Sequence, residues 1–148
     1  MFSLGFLVAK KKAIYTPIYG NFDPTSKFEW EYIDSETDAA NVMGRQGLFI
    51  DKFQLSLRNG VSSPAFGGNG GQPFDFQIPN NESIRKVIFR VGDHLDSARF
   101  ITNKRTTFRA GADGGHTDYT VDFPIGYNLV GFRGSSSRWI RSLGLILK

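Results

Sequence analysis

The sequence predicts an all-β chain of three repeated units, each about 45 residues long, closed around a shared axis. Three observations carry that expectation. Apolar and polar residues alternate along most of the chain, as in half-buried strands. Turn signals rich in glycine, proline and asparagine separate the alternating stretches. One set of apolar positions also recurs at a constant offset.

Taken in order, residues 2–8 form a short apolar run that reads as a first or edge strand. Lys10, Lys11 and Lys12 follow it rather than precede it, the reverse of a secretory signal peptide. Phe28, Trp30 and Tyr32 alternate next. Residues 35–43 fit either a helical turn or a loop, and no long stretch holds a helical period. Phe53, Leu55 and Leu57 alternate with Gln54 and Ser56, and Arg58, Asn59 and Gly60 mark a turn. The 67–71 loop (Gly-Gly-Asn-Gly-Gly) leads into Phe74, Phe76 and Ile78, which Pro79, Asn80 and Asn81 terminate. Tyr119, Val121 and Phe123 alternate after the glycine-rich 111–115 loop. Gly126 and Gly134 mark further turns, and Leu143, Leu145 and Leu147 close the chain.

The repeat is read from the apolar positions. Phe74, Phe76 and Ile78 map onto Tyr119, Val121 and Phe123 at an offset of about 45 residues. The same offset relates Val42, Val87 and Phe132, and also Ile50, Leu95 and Ile140. Phe53, Ala98 and Leu143 share it, as do Leu55, Phe100 and Leu145. The units fall near 13–57, 58–102 and 103–147, within a single domain spanning 1–148. In the first unit Phe28, Trp30 and Tyr32 take the first-strand role one residue out of register. A unit of four short strands cannot bury its apolar face alone. Three of them around an axis can, and closure removes bare sheet edges.

Composition bounds the rest. A chain of 148 residues, 40% hydrophobic and 22% charged, suits one packed core rather than disorder. No run approaches the roughly 20 apolar residues of a membrane-spanning helix. A full-length chain with no visible leader is expected to be cytoplasmic or exported by a non-classical route. The absence of cysteine excludes disulfides and thiolate metal sites. A net charge of +4 permits an anionic partner without demanding one. The basic residues are dispersed, with small clusters at Arg85–Lys86, Lys104–Arg105 and 138–141, and read as solvated strand faces. Neither a nucleic-acid partner nor membrane insertion is expected.

The segments FGGNGGQPFDF (66–76), RVGDHLDSARFITNK (90–104) and YNLVGFRGSSSRWIRSLGLIL (127–147) together resemble the jacalin-related lectins. The resemblance is close over residues 40–148 and poor over 13–39. It implies a β-prism of three Greek-key-like, four-stranded units that binds carbohydrate without metal, cofactor or catalysis. In that family a sugar site combines a GxxxD loop with a Gly-Gly loop that opens the next unit, the last unit pairing back to the first. The chemistry suits the residue types. A carboxylate accepts hydrogen bonds from two adjacent hydroxyls, and glycine lets the opposing backbone approach.

Carried onto this chain, the first site comprises Gly47, Leu48, Phe49 and Asp51 with Gly70 and Gly71. The second comprises Gly92, Asp93, His94 and Asp96 with Gly114 and Gly115. In the third, serine replaces glycine at Ser137 and arginine replaces aspartate at Arg141, while the partner loop 19–26 has no Gly-Gly pair. Both halves of the third site are lost together and both halves of the other two persist, which turn geometry alone does not predict. Asp51 and Asp96 could otherwise simply cap their own tight loops. Phe49, His94 and Trp139 hold equivalent loop-tip positions, either as rings for a sugar's apolar face or as ordinary surface aromatics.

Mannose or glucose is the expected sugar, on analogy with unprocessed single-chain members of the family. Glycans or glycoproteins are the expected partners, and a homo-oligomer is left open. The rival reading is an anionic-ligand patch of Arg138, Trp139 and Arg141 for sulfated glycans or phosphoinositides, against a plain solvent-exposed loop. Asp93, His94, Asp96, Asp113, His116 and Asp118 invite a metal reading, but their spacing matches no standard signature, so no metal is expected. No nucleophile stands beside a base, so an enzyme is not expected.

Overall fold

A computed structural model describes residues 11–33 and 36–148. The edge strand expected at 2–8 lies outside the described residues. The described residues open with β1 (Ile14–Tyr15), β2 (Tyr19–Gly20), a 3-10 turn at Pro24–Ser26 and β3 (Lys27–Glu31). Then come β4 (Ala39–Gln46), β5 (Ile50–Leu57), β6 (Phe66–Gly67) and β7 (Gln72–Gln77). Next are β8 (Ile84–Val91), β9 (Leu95–Thr102), β10 (Thr107–Gly111) and β11 (Thr117–Asp122), and β12 (Leu129–Ser136) and β13 (Ile140–Leu147) finish the chain.

These strands form three antiparallel sheets around one core. Two are contiguous in sequence, with strand orders β6-β5-β4-β7 and β10-β9-β8-β11. In each, the two outer strands are consecutive, so their connection crosses over the central hairpin. The third joins the two ends of the chain in the order β1-β13-β12-β3. There β2 also pairs with β13, at Ser142 and Leu143, while β1 pairs at Ile146 and Leu147. The two short strands thus share the edge position that β6 and β10 fill elsewhere. Strands β4, β8 and β12 begin at Ala39, Ile84 and Leu129, which carries the repeat directly. The sheets are that same period cut at a later phase than 13–57, 58–102 and 103–147. The off-register first-unit strand takes its place in β3. Phe28 lies opposite Gly134 and Trp30 opposite Phe132, as Phe74 lies opposite Gly44 and Phe76 opposite Val42.

The helical turn or loop expected at 35–43 is corrected over its later part, since residues 39–43 belong to β4. The reason is a β-bulge. The register slips between Ala39 and Asn41, so Ala39 and Val42 both face the core and the period of two is broken. Equivalent slips recur between Ile84 and Lys86 and between Leu129 and Gly131.

The core is repeated in position but not in size. Phe132 holds the repeat position of Val42 and Val87, Phe53 that of Ala98 and Leu143, and Phe100 that of Leu55 and Leu145, and all are buried in one core. An axis that must stay close-packed takes one aromatic per layer and fills the other corners with smaller residues. The Phe53 and Phe132 rings meet edge to face, 4.8 Å apart.

Candidate functional site

The three tip loops gather at one end of the prism. Each is closed by one backbone hydrogen bond: Gly47 N–H to Phe49 O (2.9 Å), Gly92 N–H to His94 O (3.0 Å) and Ser137 N–H to Trp139 O (2.9 Å). A second bulge precedes each loop, between Arg45 and Gln46, Arg90 and Val91, and Ser135 and Ser136. A bulge at a strand end re-aims the loop beyond it, and here all three loops are turned alike. The residue after each loop (Ile50, Leu95, Ile140) is fully buried, so the next one faces outward: Asp51, Asp96 or Arg141.

Asp51 and Asp96 each sit in a cradle of three glycines. A Cβ on Gly71 would lie 2.5 Å from Asp51 Oδ2, and one on Gly70 would lie 2.9 Å from Oδ1. A Cβ on Gly114 would lie 2.5 Å from Asp96 Oδ1, with one on Gly115 at 2.7 Å and one on Gly92 at 3.1 Å from Oδ2. Gly71 and Gly115 also need positive φ, at 69° and 84°. Both halves of each site therefore flank one sheet, with the acid in one unit and its glycine loop at the start of the next.

Neither carboxylate caps its own loop. Among the described residues no backbone or side-chain donor hydrogen-bonds to Asp51 or Asp96, although Asp96 is only 7% exposed. Asp51 is half-buried, and the oxygens of both carboxylates keep accessible surface, so they are free for an outside donor. Burial pushes the Asp51 carboxyl above its ordinary value, against the pull of the Arg45 charge. Asp23, on the loop opposite Arg141, behaves as a true cap. Its Oδ1 accepts from Thr25 Oγ1 (2.7 Å) and Thr25 N–H (2.9 Å), which hold its carboxyl below the ordinary range.

Two arginines that sequence reasoning passed over hold the glycine loops. Arg45 donates to the carbonyls of Gly70 (3.0 Å) and Gly71 (2.8 Å). Arg90 donates to those of Gly114 (3.1 Å) and Gly115 (3.2 Å) and bridges to Asp118 at 3.1 Å. They occupy the same repeat position, which was the available signal. Its third member is Ser135, whose Oγ accepts from Asp23 N–H at 3.1 Å.

The loop-tip rings do not stand over separate sites. Phe49, His94 and Trp139 converge on one another, with centroids 4.7 Å (Phe49–His94), 5.3 Å (Phe49–Trp139) and 5.5 Å (His94–Trp139) apart. Equivalent loop-tip positions that lie near a three-fold axis meet on it, and here the three rings pack on one another. Phe49 still reaches across to line a cavity of about 310 Å³ with Gly92, Asp93, His94, Asp96, Gly115 and His116. Leu48 is 77% exposed at its tip, with Asp93 and Arg138 exposed at the equivalent tips. Arg138 is exposed at its loop tip, Trp139 joins the ring cluster, and Arg141 takes the strand position held by Asp51 and Asp96 in the other two sheets. The suggested metal group also disperses, since Asp113 pairs with Arg109 and Asp118 with Arg90. Among the described residues no three His, Asp or Glu side chains gather as for a metal.

Residues 14–146 match the family description "Jacalin-like lectin domain". The chain belongs to the jacalin-like lectin family. Solved jacalin-related lectins share its fold. Malaysian banana lectin superposes with a TM-score of 0.76 at 21% identity, covering 93% of this chain and 99% of its own. A mannose-specific jacalin-related lectin from Morus nigra, in complex with mannose, gives 0.77 at 20% identity, covering 95% and 97%. A mannose-binding jacalin-related lectin from Ananas comosus gives 0.76 at 20% identity, covering 91% and 96%. A curated Schizosaccharomyces pombe protein bearing the name of a zinc metalloproteinase is 31% identical over 105 residues. That alignment takes in 69% of the lectin chain but only 16% of the yeast protein.

Proposed function

We propose that this lectin domain binds neutral glycans of the mannose or glucose type through two clefts, one at Asp51 and one at Asp96, without metal or catalysis. The observation that carries the reading is the pair of unbonded carboxylates, each enclosed by three glycines whose missing Cβ atoms leave the ligand room. A carboxylate so placed accepts from two neighbouring sugar hydroxyls with charge assistance. Gly47, Leu48, Phe49, Gly70 and Gly71 complete the first cleft. Gly92, Asp93, His94, Gly114 and Gly115 complete the second. The mannose specificity named for the Morus nigra and Ananas comosus lectins supports the sugar class. Whatever lies beyond this domain in a longer protein, its part is recognition of glycans or glycoproteins and not bond cleavage.

Each cleft is shallow and holds a monosaccharide weakly. Two clefts on one domain, multiplied by any homo-oligomer, raise apparent affinity for branched glycans by as much as roughly 10²–10⁴. The test is the double variant Asp51→Ala with Asp96→Ala on immobilised mannan. Retention disappears while thermal unfolding stays close to wild type. Undiminished retention sinks the assignment.

A further inference from the structure

We infer that the third cleft, around Arg141, binds the oxyanion of an acidic glycan, a sulfate ester or a uronate carboxylate. The frame of the cleft is kept while its charge is inverted. Arg141 takes the strand position of Asp51 and Asp96, directly after a fully buried residue. The loop opposite approaches as its sisters do. Asn21 N–H donates to Arg141 O at 3.1 Å, as Gly68 N–H donates to Asp51 O at 2.7 Å. Gly20, at φ 110°, lies over the Arg141 carbonyl as Gly67 and Gly111 lie over those of Asp51 and Asp96.

The donors in this cleft are unspent. Among the described residues the Arg141 side chain makes no hydrogen bond and no ion pair, yet its Nε is buried. Two residues earlier, in the ring cluster beside the cleft, the indole Nε1 of Trp139 is likewise buried without an acceptor. The terminal nitrogens of the Arg141 guanidinium are also without partners but are not buried, so its fork stays open to an acceptor from outside. Guanidinium presents its N–H groups as a planar fork that fits a carboxylate or sulfate bidentately. The cleft does hold one acid, Asp23, within electrostatic range of Arg141. Its Oδ1 is engaged by Thr25, and it forms no ion pair with the arginine. Lys27, paired across the sheet with Ser135, and Arg138, on the loop before Arg141, are exposed and add positive charge to this side of the sheet.

A glycan is favoured over a free anion because the clefts adjoin. The glycine loop of the first site packs on the Arg138 backbone so closely that a Cβ on Gly68 would overlap the Arg138 carbonyl. A saccharide chain leaving one cleft meets the other. The proposal stands apart from the neutral-sugar reading, since it uses none of the residues of the Asp51 and Asp96 sites.

The experiment measures affinity of the whole chain for heparin oligosaccharides, oligogalacturonate, inorganic sulfate and mannan. Arg141→Ala is expected to weaken binding to the acidic glycan by about tenfold or more, as for loss of charge-assisted hydrogen bonds. Arg141→Lys falls between, because a point charge cannot bind bidentately. Mannan binding is unchanged in both variants, and thermal unfolding is unchanged or raised, since a buried unmet donor is removed. The Trp139 indole N–H resonance shifts as the acidic oligosaccharide is added. Heparin against oligogalacturonate distinguishes sulfate from carboxylate. Arg99→Ala is the control for diffuse charge, because Arg99 is exposed and lies across the strand pair from Arg109 without an ion pair of its own. Equal affinity in Arg141→Ala, an equal loss in Arg99→Ala, binding of sulfate alone, or no binding of either polyanion overturns the inference. Loss of acidic-glycan binding in the Asp51→Ala, Asp96→Ala variant does so as well.

Discussion

Gly71→Ala and Gly60→Ala form a matched pair that measures how tightly the first cleft is built. Both glycines have positive φ, 69° at Gly71 and 90° at Gly60, so alanine meets a backbone penalty of roughly 1–2 kcal/mol at either site. The surroundings differ. A Cβ at Gly60 meets nothing within 4 Å. At Gly71 it runs into the Gln46 carbonyl and stands 2.5 Å from Asp51 Oδ2. Overpacking of that kind adds about 1–3 kcal/mol, because a strand carbonyl cannot swing aside as a side chain can. The expected losses are therefore about 1–2 kcal/mol for Gly60→Ala and about 2–5 kcal/mol for Gly71→Ala. At about 2–4 °C per kcal/mol for a chain of this size, the melting points separate by roughly 2–12 °C. Denaturant unfolding gives the energies, and titration with a mannose oligosaccharide gives the number of sites. Gly60→Ala keeps both clefts and Gly71→Ala keeps only the second. Equal destabilisation of the two variants, with full stoichiometry in Gly71→Ala, refutes a cradle packed around Asp51.

Three further outcomes rest on the same geometry. Gly114→Ala needs no positive φ and meets only the Asp96 side chain, so it unfolds near wild type while the second cleft loses its sugar; intact stoichiometry by titration contradicts this. Asp51→Asn probes the raised carboxyl pKa. A folded acid with a raised pKa is destabilised when ionised, so the charge costs stability above that pKa and the cost fades as pH falls to the unfolded value. The variant should gain stability over wild type at neutral pH, with the gain closing by about pH 3, as read from denaturation midpoints; a gap independent of pH counts against burial as the cause. Chelator treatment should leave mannan retention intact, and loss restored by added calcium or zinc would mean that the Asp93–His94–His116 group is a metal site.

What the sequence revealed and what it hid divide along the range of the interactions. The three-sheet fold was legible because Val42, Val87 and Phe132 and their companion sets obey a strict offset and face one core. The bulge at Ala40 was not, since one extra residue erases the local alternation that marks β4 as a strand. The pairing of each acid with its glycine loop was readable only through family resemblance, because Asp51 and Gly71 are brought together by strand pairing and not by local spacing. Arg45 and Arg90 stood in plain register but carried no motif, and their role appears only when their hydrogen bonds reach the loop carbonyls. The meeting of Phe49, His94 and Trp139 results from three-fold placement at a tip. Composition and alternation do not say how near the axis a tip will lie.

The sheet that joins Ile14 and Tyr15 to Leu147 and Ile146 ties the beginning of the chain to its end. During synthesis the sheets built on β4–β5 and β8–β9 can form from neighbouring residues as these emerge. The early segment that will supply β1, β2 and β3 must wait for β12 and β13, which are made after the other two sheets. Such distant pairing is slow and leaves unsatisfied strand edges exposed in the nascent chain. The third cleft, with Arg141 on β13 and its facing loop after β2, is therefore the last to assemble. A ribosome-bound chain halted before β12 would hold the strands of both aspartate clefts while their core face still lacked the cover of Phe132, Leu143 and Leu145.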